Sequence, residues 1–305
     1  MSYHLPPYRV RFPLSAQHIK EVDWGLAANR IPEVWKQTEG EGVRIAVIDS
    51  GCANHYALRG VDGRENFSTD ETALDQIGHG THVTGIICGT EPPAKGIAPK
   101  ATVHSLKVLS TDGQCQAEHV CRALERACEL DVDLVCMSLG SSRPNSELHA
   151  AVQMASRQGI TLVAAAGNDG GKVNYPAALP ETIAVGAVDR HNEVCPFSCR
   201  GPEIVCAAPG EDIQSTWLAG GYASVSGTSM AAPFVVGLLA LYISTLKRKA
   251  TPAELLNAIS ATAADKGEPG RDTDYGWGLI DIHKLIEYQA MQVDGVTLYL
   301  PEEKQ

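Results

Sequence analysis

Hydrophobic residues in this chain occur in short, nearly continuous runs that alternate with segments whose apolar positions repeat at helical spacing. The runs are rich in Val, Ile and Ala, which is typical of strands buried on both faces of a parallel sheet. The predicted strands lie at 42–51, 101–109, 131–140, 159–168, 181–189 and 204–210, and the predicted helices at 115–130 and 145–158. Strands separated by helices in this way predict an α/β fold with a central, mostly parallel sheet and helices on both faces.

No linker-like segment or internal repeat interrupts the pattern, so we expect one domain over residues 19–290. A polar and proline-rich leader, residues 1–18, precedes it, and a short tail or arm, residues 291–305, follows it. The longest apolar stretch, 233–244, is too short to span a bilayer and predicts a buried helix. We therefore expect no membrane partner.

Composition and charge restrict the class of protein and its expected partners. The chain is 44% hydrophobic and 20% charged, as expected of a globular protein, and its net charge of −11 argues against a nucleic-acid partner. The first 20 residues lack the apolar core of a signal peptide. Nine cysteines are an odd number and lie in apolar surroundings, which favours reduced thiols. We expect a cytoplasmic protein.

Three short motifs carry candidate chemistry: AVIDSG with Asp49, GHGTHVTG with His79 and SGTSMAAP with Ser229. A serine becomes a strong nucleophile when an imidazole takes its proton, and a carboxylate orients that imidazole and stabilises its charged form. Ser229 begins a long apolar helix, so its N–H would lie at the positive end of the helix dipole and could stabilise an oxyanion. Together the three residues predict acyl transfer.

Two other patterns could suggest metal binding. His79 and His82 have the spacing of one helix face, but no nearby carboxylate completes a site. Cys195 and Cys199 form a C-x3-C pair without a second pair, whereas a structural zinc site takes four ligands. We expect no metal at either place and interpret the cysteines as buried or inert.

The motifs VIDSG, HGTHV, MSLG, AAAGN and GTSMAAP, followed by an apolar helix, occur in an order that resembles the subtilisin family of serine proteases. The resemblance covers about residues 22–287 and implies the subtilisin-like three-layer fold. It also implies a catalytic triad of Asp49, His79 and Ser229, with His79 rather than His82 as the base. By the same resemblance, Asn168 and the backbone N–H of Ser229 form the oxyanion hole.

The resemblance further implies polypeptide substrates bound in extended form between two edges of the cleft, with little demand on sequence. The implied substrate-binding residues are Ser138, Leu139, Gly140, Gly113, Cys115, Gly167 and Asn174. Cys115 stands where the family commonly has a glycine, and no aromatic follows near Ala117, where the family often has one. We therefore expect a more open pocket deeper in the cleft, with Cys115 within reach of substrate. Asn174 resembles a position at the floor of the primary specificity pocket, where we expect broad specificity.

Acyl transfer needs no cofactor, but the family commonly binds structural calcium, which takes about six oxygen ligands. Ala57 stands where one carboxylate ligand would be, and Val205 where an aspartate often serves a second site. The loop after HGTHVTG is also short and contains two prolines. Structural calcium therefore stays an open expectation, with the usual ligands of both familiar sites missing at Ala57 and Val205.

The leader contains LPPY, formed by Leu5, Pro6, Pro7 and Tyr8. It resembles the extension of the intracellular branch of the family, which lies across the active site and blocks it until removed. About twenty extended residues reach roughly 60 Å, enough to cross a domain. Proline also lacks the N–H needed for strand pairing, so such a segment could resist cleavage. Without the resemblance, a tail wrapped on the surface is an equal interpretation.

Three functions follow from these patterns. The first is a cytoplasmic serine endopeptidase that is active on unfolded protein and is made as a self-inhibited precursor. The second is a dedicated maturation protease that removes the leader of a modified peptide precursor. The third is a non-catalytic relative that uses the cleft as a peptide groove, against which the intact triad argues. By analogy with the intracellular branch, a homodimer is a candidate assembly.

Overall fold

The computed structural model describes residues 2–11 and 21–293. Residues 12–20 of the chain, and residues 294–305 in the predicted tail, lie outside the described residues. The strands are β1 (Ser2–His4), β2 (Arg9–Arg11), β3 (Arg44–Asp49), β4 (Val61–Asn66), β5 (Thr102–Lys107), β6 (Gln114–Gln116), β7 (Leu134–Met137), β8 (Thr161–Ala165), β9 (Thr182–Val188), β10 (Ile204–Pro209), β11 (Ile213–Thr216) and β12 (Tyr222–Ser226). The helices are α1 (Trp24–Ala28), α2 (Ile31–Val34), α3 (His79–Cys88), α4 (Ala117–Glu129), α5 (Ser146–Arg157), α6 (Thr228–Leu246), α7 (Pro252–Thr262) and α8 (Ile282–Val293).

A seven-stranded sheet with the order β10-β9-β8-β7-β3-β5-β4 forms the centre of the fold, and every pairing in it is parallel. Alternate residues of β3 face opposite layers, as the twofold period of a strand requires. Ile45 and Val47 pack in the same apolar cluster as α3 and α6, whereas Ala46 and Ile48 pack with α4 and α5. The predicted three-layer α/β fold is confirmed.

The strand order places a binding edge at the carboxyl end of β3. The chain continues from β3 toward β5 and β4 on one side, while β7 to β10 extend the sheet on the other. In open parallel sheets, ligands bind where the order reverses in this way. Asp49 is the last residue of β3 and lies at this point.

Helix α6 is the buried helix that the apolar stretch predicted. It is the one helix among the described residues whose length and mean hydropathy would suit a membrane span, and 83% of that window is buried inside the fold. Pro233 is its sixth residue and lies beyond the first turn. The proline leaves the carbonyl of Ser229 without its helical N–H donor, and the hydroxyl of Ser138 donates to that carbonyl at 3.0 Å instead.

Each predicted strand contains an observed one, but four pairings were not predicted. β4 is a polar edge strand, and β11 and β12 form a short antiparallel hairpin outside the main sheet. The leader supplies the rest, since β1 pairs with β6 and β2 pairs with β12. Residues 2–11 of the leader thus pair with the domain through two short strands.

Candidate active site

Asp49 and His79 meet at the carboxyl edge of the sheet. Asp49 ends β3, and His79 is the first residue of α3. The Nδ1–H of His79 donates to Oδ1 of Asp49 at 2.8 Å, and both side chains are buried. Because the carboxylate holds Nδ1, the imidazole presents Nε2 as the nitrogen that can take a proton.

Asp75, which the sequence analysis did not single out, holds the amino end of α3. Its buried carboxylate accepts hydrogen bonds of 2.9 to 3.0 Å from three backbone amides within 77–81, and others from the hydroxyls of Ser50 and Thr81. These amides have no partner inside the helix, so an anion there is stabilising. Asp75 lies four residues before His79, a spacing that could have indicated a helix-start anchor.

Ser229 is the second residue of α6 and reaches the same edge. Its Oγ donates to the backbone oxygen of Ser138 at 3.4 Å, and Nε2 of His79 has no hydrogen-bond partner in the described part of the chain. Gly80 lets α3 approach the end of β3 closely, because a Cβ there would run into the carbonyl of Gly51. The structure therefore gathers the three residues but leaves the serine hydroxyl turned away from the imidazole.

The side-chain amide of Asn168 is oriented by the start of α6. Its Oδ1 accepts hydrogen bonds from the N–H and the hydroxyl of Thr228 at 2.8 and 2.7 Å. Its Nδ2 consequently points into the cleft, where it donates to the carbonyl oxygen of Pro7 at 2.8 Å. A peptide carbonyl of the leader thus already occupies a position beside Ser229.

The first leader residues lie between two edges of the cleft as a middle strand. His4 and Gly140 exchange two backbone hydrogen bonds of 3.1 and 3.0 Å, and Leu5 donates to the carbonyl of Gly113 at 3.0 Å. Tyr3, opposite Cys115 in the β1–β6 register, is fully buried. The two edges predicted to bind substrate are therefore the two edges that hold the leader.

The leader then crosses the imidazole and continues along another edge. The ring centroid of Tyr8 lies 5.0 Å from that of His79. Burial raises the pKa of Tyr8 to about 12, helped by the negative charges of Asp49 and Asp75. After Tyr8 the chain becomes β2 and extends the β11–β12 hairpin to three strands.

The remaining predicted substrate-binding residues lie around these edges. Leu139 and Cys115 are buried, and burial raises the pKa of the Cys115 thiol to about 12. Gly167 has a φ of +116°, and a Cβ there would run into the side chains of Asn174 and Cys199. Asn174 also lies next to Gly140, because a Cβ on that glycine would lie 3.2 Å from the Asn174 Cβ. These residues share one end of the cleft.

The histidine and cysteine pairs considered for metal have other partners. Nε2 of His82 donates toward the backbone oxygens of Ile213 and Ala223, and burial lowers its pKa to about 3. Sγ of Cys199 donates to Oδ1 of Asp169 at 2.8 Å. Within residues 2–11 and 21–293, no three His, Cys, Asp or Glu side chains are grouped as metal ligands. All nine cysteines are free thiols.

Backbone hydrogen bonds surround the two positions where the family commonly binds calcium. Ala57 is buried, and its carbonyl accepts hydrogen bonds from both the N–H and the hydroxyl of Thr90. The loop after α3 is closed by its own backbone, with three amides of 96–98 donating to carbonyls of 86–89. The carbonyl of Val205 accepts from the N–H of Trp277.

Comparison with known proteins agrees with this geometry. The sequence model of the subtilase family matches residues 40–278. The chain is 40% identical over 253 residues to an intracellular serine protease of Paenibacillus polymyxa, covering 78% of this chain and 77% of that protein. It is 36% identical over 284 residues to subtilisin E of Bacillus subtilis, covering 90% and 74%.

A third relative is longer than this chain. The minor extracellular protease Epr of Bacillus subtilis is 37% identical over 279 residues, which are 89% of this chain but only 42% of that protein. The chain thus spans less than half the length of Epr, whereas it spans about three quarters of the other two. The family match and these identities show that the chain belongs to the subtilase family and is a subtilisin-like serine endopeptidase.

Proposed function

We propose that the chain hydrolyses peptide bonds through Asp49, His79 and Ser229. The observation that carries this proposal is the position of one peptide carbonyl. The carbonyl oxygen of Pro7 accepts a hydrogen bond from Asn168 Nδ2, at the start of the helix that contains Ser229. A carbonyl in this position is polarised by the amide donor and by the positive end of α6.

The reaction follows from these contacts. Ser229 Oγ attacks the substrate carbonyl carbon while Nε2 of His79 takes its proton, and Asp49 stabilises the imidazolium. The negative charge moves to the carbonyl oxygen, where Asn168 Nδ2 and the N–H of Ser229 stabilise it. His79 then gives the proton to the leaving amine, and an acyl-enzyme remains. Water attacks the acyl-enzyme in the same way, with His79 taking the proton of the water and returning it to Ser229 Oγ as the acid leaves. The hydroxyl of Ser229 first has to rotate from Ser138 O toward Nε2.

The substrate is an extended polypeptide, because the cleft recognises backbone. Gly140 and Gly113 bind the leader through its main chain, and neither contributes a side chain. Such pairing gives affinity with little sequence demand. Unfolded proteins offer extended segments of this kind, so we propose general turnover of unfolded protein as the activity.

The full chain is proposed to be a self-inhibited precursor. The leader occupies both edges of the cleft, its Pro7 carbonyl uses Asn168, and Tyr8 covers His79. Pro6 and Pro7 lack backbone N–H groups, so the segment nearest Ser229 cannot donate main-chain hydrogen bonds to the cleft. These contacts support a segment that binds like a substrate and is cut slowly.

The cytoplasm is the proposed location, supported by the relative named an intracellular serine protease and by nine free thiols. Such thiols persist in a reducing compartment. A homodimer is proposed by analogy with the intracellular branch of the family.

A fluorophosphonate, which reacts with an activated serine, tests the catalytic proposal. The full chain is incubated until it cuts a fluorogenic peptide, and the adduct is located by mass spectrometry. We expect modification at Ser229 and none in the Ser229→Ala or His79→Ala variants. The His79→Ala chain is labelled after an added protease has removed its leader, so that its loss of reactivity shows that the serine needs its base. Unmodified Ser229 in a chain whose leader has been removed would refute the proposal.

A further inference from the structure

Strand β12 forms an edge that leads directly to Ser229. It ends at Ser226, three residues before the nucleophile, and β2 of the leader pairs with it in antiparallel register. Arg9, Val10 and Arg11 lie opposite Ser226, Val225 and Ser224 respectively. Since β12 is continuous with the start of α6, this edge has a fixed position relative to the reacting carbonyl.

This pairing shows where the residues that follow the peptide bond at the active site lie along β12. The carbonyl beside Asn168 belongs to Pro7, so the residues that follow are Tyr8, Arg9, Val10 and Arg11, the first to the fourth. Val10 is half-buried against the main core, and the two arginines are exposed. The edge therefore holds the third residue by packing and leaves the second and fourth facing solvent.

A carboxylate stands at the fourth position. Nη1 of Arg11 lies 3.3 Å from Oδ2 of Asp212, whose side chain is only 26% exposed. Asp212 is fixed at the end of the β11–β12 hairpin, because its N–H donates to the hydroxyl of Ser226 at 2.9 Å. The same serine hydroxyl donates to Oδ1 of Asp212 at 3.4 Å. The carboxylate is thus tied to the strand that binds the peptide.

We propose that the β12 edge binds the leaving side of polypeptide substrates and that Asp212 selects a basic side chain at the fourth residue after the cleaved bond. The inference rests on the proposed protease function, with the leader as the template of a bound substrate. An antiparallel strand supplies affinity through its backbone, and one charged side chain supplies preference. Because the pair is exposed at the arginine end, the preference is modest and falls with salt.

The test compares three internally quenched peptides that differ only at the fourth residue after one cleavable bond, which carries Arg, Gln or Glu. Mass spectrometry verifies the cut, and fluorophosphonate titration gives the concentration of active sites. We expect kcat/KM to be about two- to fivefold higher for the Arg peptide than for the Gln peptide, the range of an exposed ion pair. The ratio should narrow in 1 M salt.

Variants distinguish the effect of the Asp212 carboxylate from the effect of the net negative charge of the chain. Asp212→Asn should abolish the preference, and Asp212→Lys should reverse it toward the Glu peptide. The matched control is Asp131→Asn, because Asp131 is also a positive-φ aspartate in a surface ion pair, with Lys249. It removes the same charge and should keep the preference.

Two results would overturn the inference. One is equal kcat/KM for the Arg and Gln peptides, and the other is a preference that survives in Asp212→Asn. Both require titrated active sites, so they leave the protease proposal standing. Absence of any titratable serine would instead reject the protease proposal, and this inference with it.

Discussion

Replacing Tyr3 tests how the leader is held in the cleft. Tyr3 lies in β1, four residues before Pro7, and its side chain is fully buried in the apolar cluster that includes α4. Its phenol oxygen has no hydrogen-bond partner among the described residues, and burial raises its pKa to about 12. The ring therefore stabilises the bound leader, whereas the hydroxyl opposes binding.

The expected magnitudes follow from these two opposing contributions. Losing the buried ring in Tyr3→Ala removes about 2–3 kcal/mol of apolar burial. The open form of the full chain should become about 30- to 140-fold more populated. Tyr3→Phe keeps the ring and removes a buried hydroxyl that has no partner, whose cost is about 1 kcal/mol or more. The open form should then become about fivefold rarer or rarer still.

The assay is the initial rate of fluorogenic peptide hydrolysis by freshly purified full chain, before any cleavage appears on a gel. Tyr3→Ala should raise this rate and Tyr3→Phe should lower it. The control is His4→Ala, which removes an exposed side chain from the same strand and keeps the backbone pairing with Gly140. If Tyr3→Ala and His4→Ala give equal initial rates, the ring does not hold the leader and the reasoning fails.

Four further outcomes are expected. Asn168→Ala should lower kcat by about 10²- to 10³-fold with little change in KM, the loss known for such a donor in a subtilisin; a KM effect alone would contradict its proposed role. Replacing Pro6 and Pro7 by alanine should shorten the lag before leader cleavage, followed on gels. General turnover predicts extensive fragmentation of denatured casein, whereas one or no cut would favour a dedicated maturation protease. Burial raises the pKa of Asp23 to about 6, so the folded state holds this proton more tightly than the unfolded state does. The free energy of unfolding should therefore fall as pH rises from about 4 to 6, and urea unfolding of Asp23→Asn should not show this decrease.

The main sheet was predictable because its strands are buried on both faces. Such strands need apolar side chains at nearly every position, so β3, β7, β8, β9 and β10 each produce a nearly continuous hydrophobic run. β4 lies at the edge with its side chains half exposed, and its sequence VDGREN has no apolar run. A strand such as β4, with half-exposed side chains, has too few apolar positions to be predicted from its sequence.

The motifs predicted which residues would lie at the carboxyl edge of the sheet, but they did not predict the contacts that support them. Lys107 is fully buried, donates to the carbonyls of Ser50 and Leu74 and pairs with Asp70 at 3.0 Å. These contacts join loops far apart in sequence, and no local spacing encodes them. The hydroxyl of Ser138 that replaces the amide missing at Pro233 is another example. Supports of this kind follow from the packed fold alone.

The position of the leader depends both on its own sequence and on its contacts with the rest of the fold. Its prolines predicted a stiff segment with few main-chain donors, and nothing in LPPY itself specifies where those residues lie. The structure adds anchors on both sides, with His4 paired to Gly140 before the prolines and β2 paired to β12 after them. A segment tied at both ends stays in place even if the bond between Pro7 and Tyr8 is cut. Cleavage there would therefore leave two bound fragments. Under the proposed self-inhibition, we expect activation to require the dissociation of these fragments as well as the cut.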